Sequence, residues 1–134
     1  MRHRAQSLSG LAKDQRGAAA MEFAIVSGVF VTALIGIAYI GIMLFTNAAL
    51  HWAVERSVRL AAISTTVTQS AISTALNGYL SSLGVPAATV TYSVATGAFP
   101  VAHINATLSQ SYMIPFIPTV NITYVADAYV PQGA

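Results

Sequence analysis

The sequence predicts an α+β protein: a long apolar N-terminal helix that continues into a small head, built from a second helix and a three-stranded antiparallel sheet. Three observations carry this expectation. Residues 23–54 contain no Asp, Glu, Lys or Arg. Residues 69–83 place apolar side chains at helical spacing. From residue 88 onward the apolar period drops to two.

The first helix is the most distinctive element. Its most apolar part, residues 23–50, would be about 42 Å long at 1.5 Å per residue. The hydrocarbon core of a bilayer is roughly 30 Å thick, so the segment can cross with tilt or project beyond the lipid. A cleavable secretory signal has an apolar stretch of only about 7–15 residues, and this one is expected to be retained. A chain of 134 residues has too little other material to bury such a helix all round. His51 and Trp52 stand where an interfacial anchor would stand. Ala20, Ala24, Gly28, Thr32 and Gly36 recur every four residues, which places small groups along one drifting face and suits close helix packing in lipid. Beyond the apolar run, Leu50, Val54, Val58 and Ala61 share one stripe, and Glu55 stands in the favourable order before Arg59 for an i,i+4 pair.

Thr65, Thr66, Val67 and Thr68 interrupt the helical pattern with β-branched residues. In the second helix Ala71, Ile72, Ala75, Leu76, Tyr79, Leu80 and Leu83 make an apolar stripe. Thr68 is placed to cap its start, and Gly84 with Pro86 marks its end. The three strands follow as Val90, Tyr92, Val94; then Ala102, Ile104, Ala106, Leu108; then Val120, Ile122, Tyr124, Ala126, Ala128, each alternating with polar residues. Residues 96–100 and 113–118 link them. The second link, Met-Ile-Pro-Phe-Ile-Pro, is apolar where loops are usually polar, and either closes the core or forms a contact patch.

Composition restricts the function classes. Hydrophobic residues make up 55% of the chain and charged residues 7%, against about 25% charged in ordinary soluble domains. The formal net charge of +2 is a property of the first sixteen residues, where Arg2, Arg4, Lys13 and Arg16 face a single Asp14. The rest of the chain holds Glu22, Glu55, Arg56, Arg59 and Asp127. No basic patch interleaved with aromatics is present, so a nucleic-acid partner is not expected. The absence of cysteine excludes disulfides, thiolate metal sites and a cysteine nucleophile. His3, His51 and His103 are scattered, with no second ligand at metal spacing, and no nucleophile turn occurs. No catalytic residue, metal, cofactor or small-molecule substrate is expected, and the chain reads as a non-enzyme.

The excess of cationic residues before the apolar run favours a single-pass topology with the N-terminus in the cytoplasm and the C-terminal part outside. Directly before that run stands Arg16-Gly17-Ala18-Ala19-Ala20-Met21-Glu22-Phe23. A carboxylate at the centre of a membrane helix costs roughly 2.5–3.5 kcal/mol even on lenient scales, so Glu22 asks for a partner. A cut between Gly17 and Ala18 would supply one: the new α-amino group lies four residues before Glu22, a neighbouring position on a helix. The same cut would remove all four leader cations.

Gly17 followed by Glu22-Phe23 resembles the prepilin processing site of the Flp and Tad pilus systems. The longer string RGAAAMEFAIV is similar to the N-terminus of TadE-like proteins, and with the helix behind it the resemblance covers about forty residues. The eighty or so residues after the helix make the chain more like a TadE-like minor pilin, or pseudopilin, than like a headless fibre subunit. The resemblance implies cleavage after Gly17 by a membrane prepilin peptidase, with Ala18 as the new N-terminus and Glu22 and Phe23 as part of the processing site. It further implies a bacterial inner-membrane location, other pilins and pilus assembly proteins as partners, a pilin-like head, and incorporation into, or initiation of, a pilus used for adhesion or surface attachment. Ser27-Gly28 stands where family members often have a proline. The expected organisation is a basic leader over residues 1–17, a transmembrane and assembly helix over 18–63, and an extracytoplasmic head over 64–134. The alternative is an unprocessed single-pass adaptor of a secretion or pilus assembly platform.

Overall fold

The structure, a computed structural model, describes residues 15–64, 66–97, 100–114 and 117–132. Residues 1–14, Thr65, the link residues Ala98, Phe99, Pro115 and Phe116, and the terminal Gly133 and Ala134 lie outside this description. The architecture is α+β, with two helices and one sheet. Helix α1 runs from Gln15 to Ile63, 49 residues without a break, and α2 from Gln69 to Ser82. Strands β1 (Thr89–Ala95), β2 (Val101–Tyr112) and β3 (Val120–Pro131) follow. They form an antiparallel meander in the order β1-β2-β3. The chain divides into two compact units, Met1–Ala38 and Tyr39–Ala134.

Each end of α2 is closed by the residues that its sequence offers. The Thr68 hydroxyl accepts a hydrogen bond from the Ala71 N–H at 3.2 Å, satisfying one of the orphan donors of the first turn. At the other end the Gly84 N–H donates to the Ser81 carbonyl and the Val85 N–H to the Leu80 carbonyl, both at 3.0 Å. This is the Schellman pattern, and it needs the left-handed conformation that Gly84 adopts at φ 71°. Val85 is buried, as is Leu80, so the hydrophobic contact that accompanies the motif is available as well.

The core of the second unit takes its side chains from every element. Leu50, Ala53, Val54 and Ala61 come from α1, Ile72, Leu76 and Leu80 from α2, and Val90, Ala102, Ile104, Ala106, Leu108, Tyr112, Tyr124 and Ala126 from the sheet. Alternation along β2 is nearly complete: Ala102, Ile104, Ala106 and Leu108 are buried and their neighbours are not. Tyr112 and Tyr124 meet inside the core with their hydroxyls 2.8 Å apart. Burial, and then the hydrogen bond with Tyr112, push the Tyr124 phenol up to about 12. Its stabilising share is therefore full below pH 10 and is lost as the pH rises from there through about 12.

Two features depart from the periodicity of the sequence. Val94 is exposed rather than buried, because cover from α2 falls on the start of β1 and not on its end. There the Asn77 side chain accepts from the Ala88 N–H at 2.8 Å and donates to the Ala88 carbonyl at 3.2 Å, while Gln69 donates to the Val90 carbonyl. These amides stand in for a fourth strand along an otherwise open edge. The polar face of α2 is thus partly structural.

Ser57 is fully buried on α1, and its hydroxyl has no hydrogen-bond partner among the described residues. An unsatisfied buried hydroxyl costs about 1–3 kcal/mol. Ser57→Ala is expected to raise the melting temperature of the full chain in detergent. Gly84→Ala, which forces a side chain into the left-handed region, should lower stability by about 1–2 kcal/mol. Thermal circular dichroism of both variants checks the pair.

Candidate functional site

In the first unit α1 is a bare apolar cylinder. Phe23, Ile25, Val26, Val29, Phe30 and Ile37 are all exposed, Phe23 by 74%. Exposure on every side requires an apolar surrounding, and α1 is long and apolar enough to cross a membrane. Its hydroxyls are already satisfied for such a setting. Ser27 donates to the Ala24 carbonyl at 3.0 Å, and Thr32 to the Gly28 carbonyl at 2.9 Å.

Gly17, Ala18, Glu22 and Phe23 all lie on this helix, which begins two residues before Gly17. A methyl group added at Gly17 would meet nothing within 4 Å among the described residues, and the same holds at Gly28 and Gly36. Helical glycine costs about 1 kcal/mol against alanine. The described residues therefore offer no steric reason for glycine at these positions. Among the described residues no cation lies within 4 Å of the Glu22 carboxylate, which is exposed. Ala20, Ala24, Gly28, Thr32 and Gly36 lie along the same uncovered helix.

The second unit carries two polar clusters. On α1 the Arg56 guanidinium lies 5.5 Å from the Trp52 ring centre and 5.3 Å from that of Tyr79, and the two rings meet edge to face. With Glu55 and Arg59 they line a cleft of about 310 Å³. The expected Glu55–Arg59 pair does not form within 4 Å; Arg56, in the same cleft, lies against the aromatic rings instead. Trp52 is held by Tyr79 of α2, which the periodicity of α1 alone does not disclose.

The other cluster lies on the outer face of the sheet. Antiparallel register sets Thr91, Asn105 and Asp127 in one row and Ser93, His103 and Tyr129 in the next. The Asp127 carboxylate accepts from the Asn105 amide, with a donor–acceptor distance of 2.6 Å, and lies 3.1 Å from His103 Nε2. The His103 ring stacks on Tyr129 at 4.2 Å. Sequence reasoning treated His103 and Asp127 as isolated; the alternation put both on the polar face, but only the strand register brings them together. Among the described residues no three His, Asp or Glu side chains gather where a metal could be held.

The TadE-like protein family matches residues 17–59. Over these residues the chain is similar to TadE-like proteins. The match begins at Gly17, runs through the apolar cylinder and ends at Arg59, in the charged turn beside Trp52. It spans less than half of the chain and leaves out α2 and the sheet. It points to a pilin-like protein associated with the Tad pilus, and the membrane-competent TadE-like helix agrees with that. Neither a curated protein nor a solved structure matches the chain.

The Asn105 and His103 contacts hold the Asp127 carboxyl below its ordinary range. Stability from this source is present above about pH 4 and lost as the pH falls through the lowered value. Asp127→Asn is accordingly expected to flatten the acid limb of the stability profile below pH 4. Denaturant midpoints between pH 2 and pH 7 check it.

Proposed function

We propose that the chain is a minor pilin of the Tad type, processed after Gly17 by a prepilin peptidase of the bacterial inner membrane. The observation that carries this reading is the pairing of Gly17, a helical glycine that nothing among the described residues crowds, with Glu22, an exposed carboxylate with no cation within 4 Å among the described residues. A peptidase that must fit the backbone next to the scissile bond supplies a cause for the glycine. The α-amino group released at Ala18 supplies a charge for Glu22, in the same subunit or in a neighbour.

Before cleavage the basic leader would keep the N-terminus in the cytoplasm and the head outside. Loss of the leader removes Arg2, Arg4, Lys13 and Arg16 and leaves an apolar helix able to pass from lipid into a helical bundle of other pilins. The stripe of Ala20, Ala24, Gly28, Thr32 and Gly36 is where such helices would approach most closely. The protein then joins or initiates the pilus and serves adhesion or surface attachment as a structural part rather than as an enzyme. The second reading, an unprocessed single-pass adaptor of an assembly platform, draws on the helix being continuous across Gly17–Ala18, which a peptidase would have to unwind.

Intact mass of the protein purified from a host that carries the peptidase separates the two. Ala18 is the expected first residue, and persistence of the full-length chain favours the adaptor. Gly17→Ala should block processing without loss of membrane insertion; alanine is the better helix former by about 1 kcal/mol, so a folding defect would not explain the block. Glu22→Ala is expected to be cleaved and yet to impair pilus assembly. Normal piliation in that variant would remove the charge-pairing argument.

A further inference from the structure

The compact second unit begins at Tyr39, well inside α1. Upstream of it, residues 18–38 would extend about 31 Å as a helix, close to the roughly 30 Å of a bilayer's hydrocarbon core. Tyr39 is therefore the residue at which the apolar cylinder gives way to the head. Tyrosine is enriched at that depth because its ring is apolar and its hydroxyl needs a polar partner.

The partner of Tyr39 is the connection between β2 and β3. Its hydroxyl donates to the Met113 carbonyl at 2.7 Å, and its ring meets Tyr112 edge to face at 6.2 Å. These contacts tie the connection to the start of the head. The connection bends back with the Ile117 N–H donating to the Ile114 carbonyl at 3.1 Å. It leaves Met113 74% and Ile117 51% exposed. These side chains do not close the core.

Charge is segregated away from this end. No Asp, Glu, Lys or Arg occurs between Arg59 and Asp127. Arg56 lies seventeen positions after Tyr39, about 26 Å further along the helix. Asp127 pairs with Asn105, seven positions before Tyr112 and about 23 Å away along the strand. One end of the head is apolar and uncharged, and every charged side chain of the head lies toward the other.

We infer that Met113 and Ile117 form a lipid-docking surface, entering the interfacial layer of the leaflet on the head's side of the membrane, next to the point where α1 leaves it. The occupant is lipid because the surface adjoins, through Tyr39, the end of a helix segment of bilayer length, and because no charge opposes its insertion. This gives the head a second foothold and restrains its rotation about α1. The inference requires that α1 crosses the membrane and is independent of cleavage at Gly17.

The chain has no cysteine, so single-cysteine variants can be labelled with an environment-sensitive nitrobenzoxadiazole probe. Full-length Met113→Cys, Ile117→Cys, Ser93→Cys and Ile25→Cys proteins are placed in phosphatidylcholine–phosphatidylglycerol vesicles at less than one chain per vesicle. Labels at 113 and 117 are expected to be quenched by shallow spin-labelled lipid and to be several-fold less sensitive to aqueous iodide than the label at 93. Iodide sensitivity equal to that at 93 overturns the inference, and so does protection from both quenchers, which would mean cover by protein. The label at 25 separates the causes. If deep spin-labelled lipid fails to quench it, α1 does not span, and both the membrane reading and this inference fall; if it is quenched while 113 and 117 are not, only the inference falls.

Discussion

One constraint organises the molecule: a single helix has to satisfy two surroundings. From Phe23 to Ala38 its side chains are mostly exposed and nearly all apolar, a surface that water would oppose strongly. From Tyr39 onward the same helix has a buried stripe of Thr46, Leu50, Ala53, Val54, Ser57 and Ala61. No break in hydrogen bonding marks the change. The switch is made by side chains alone, from an all-round apolar surface to a one-sided stripe. The position of the switch decides how much helix is left for lipid and how much is core.

Much of this arrangement is legible in residue order. The alternation of Ala102, Ile104, Ala106 and Leu108 marks a strand with one wet face, and the structure has it. Thr68 and Gly84 bracket α2 as cap and left-handed stop because few other residues do either job. What periodicity could not supply was partnership across elements. Arg56 packs on Trp52 and Tyr79, from different helices, instead of the local pair that Glu55 and Arg59 suggested. Asn77 and Gln69 look like solvated positions until the edge of β1 is set beside them. His103 and Asp127 are separated by twenty-four positions and meet only through register. In each case the missing information is a distance between segments, which no local pattern encodes.

The candidate site behaves differently. Gly17 and Glu22 are unusual at a membrane edge and the small-residue stripe recurs every four positions; among the described residues nothing crowds the helical glycines and no cation lies within 4 Å of the glutamate. Residues that a fold does not explain are where an external partner is best sought. The TadE-like match starts at Gly17 itself. The second helix and the sheet lie outside the match. Of the expected interfacial pair His51 and Trp52, Trp52 meets Tyr79 edge to face, and Tyr39 stands where the second compact unit begins.

Leu50, Val54 and Ala61 of α1 are core residues as fully buried as any in α2 or the sheet. The later turns of α1 and the rest of the head are therefore one cooperative structure. A tensile load applied along α1 reaches the head as shear, distributed over several turns of buried side chains that must all slip together. Such a joint resists pulling far better than a flexible tether that ends at a domain border. Equally, a head that began only after Ala61 would lose one wall of its core.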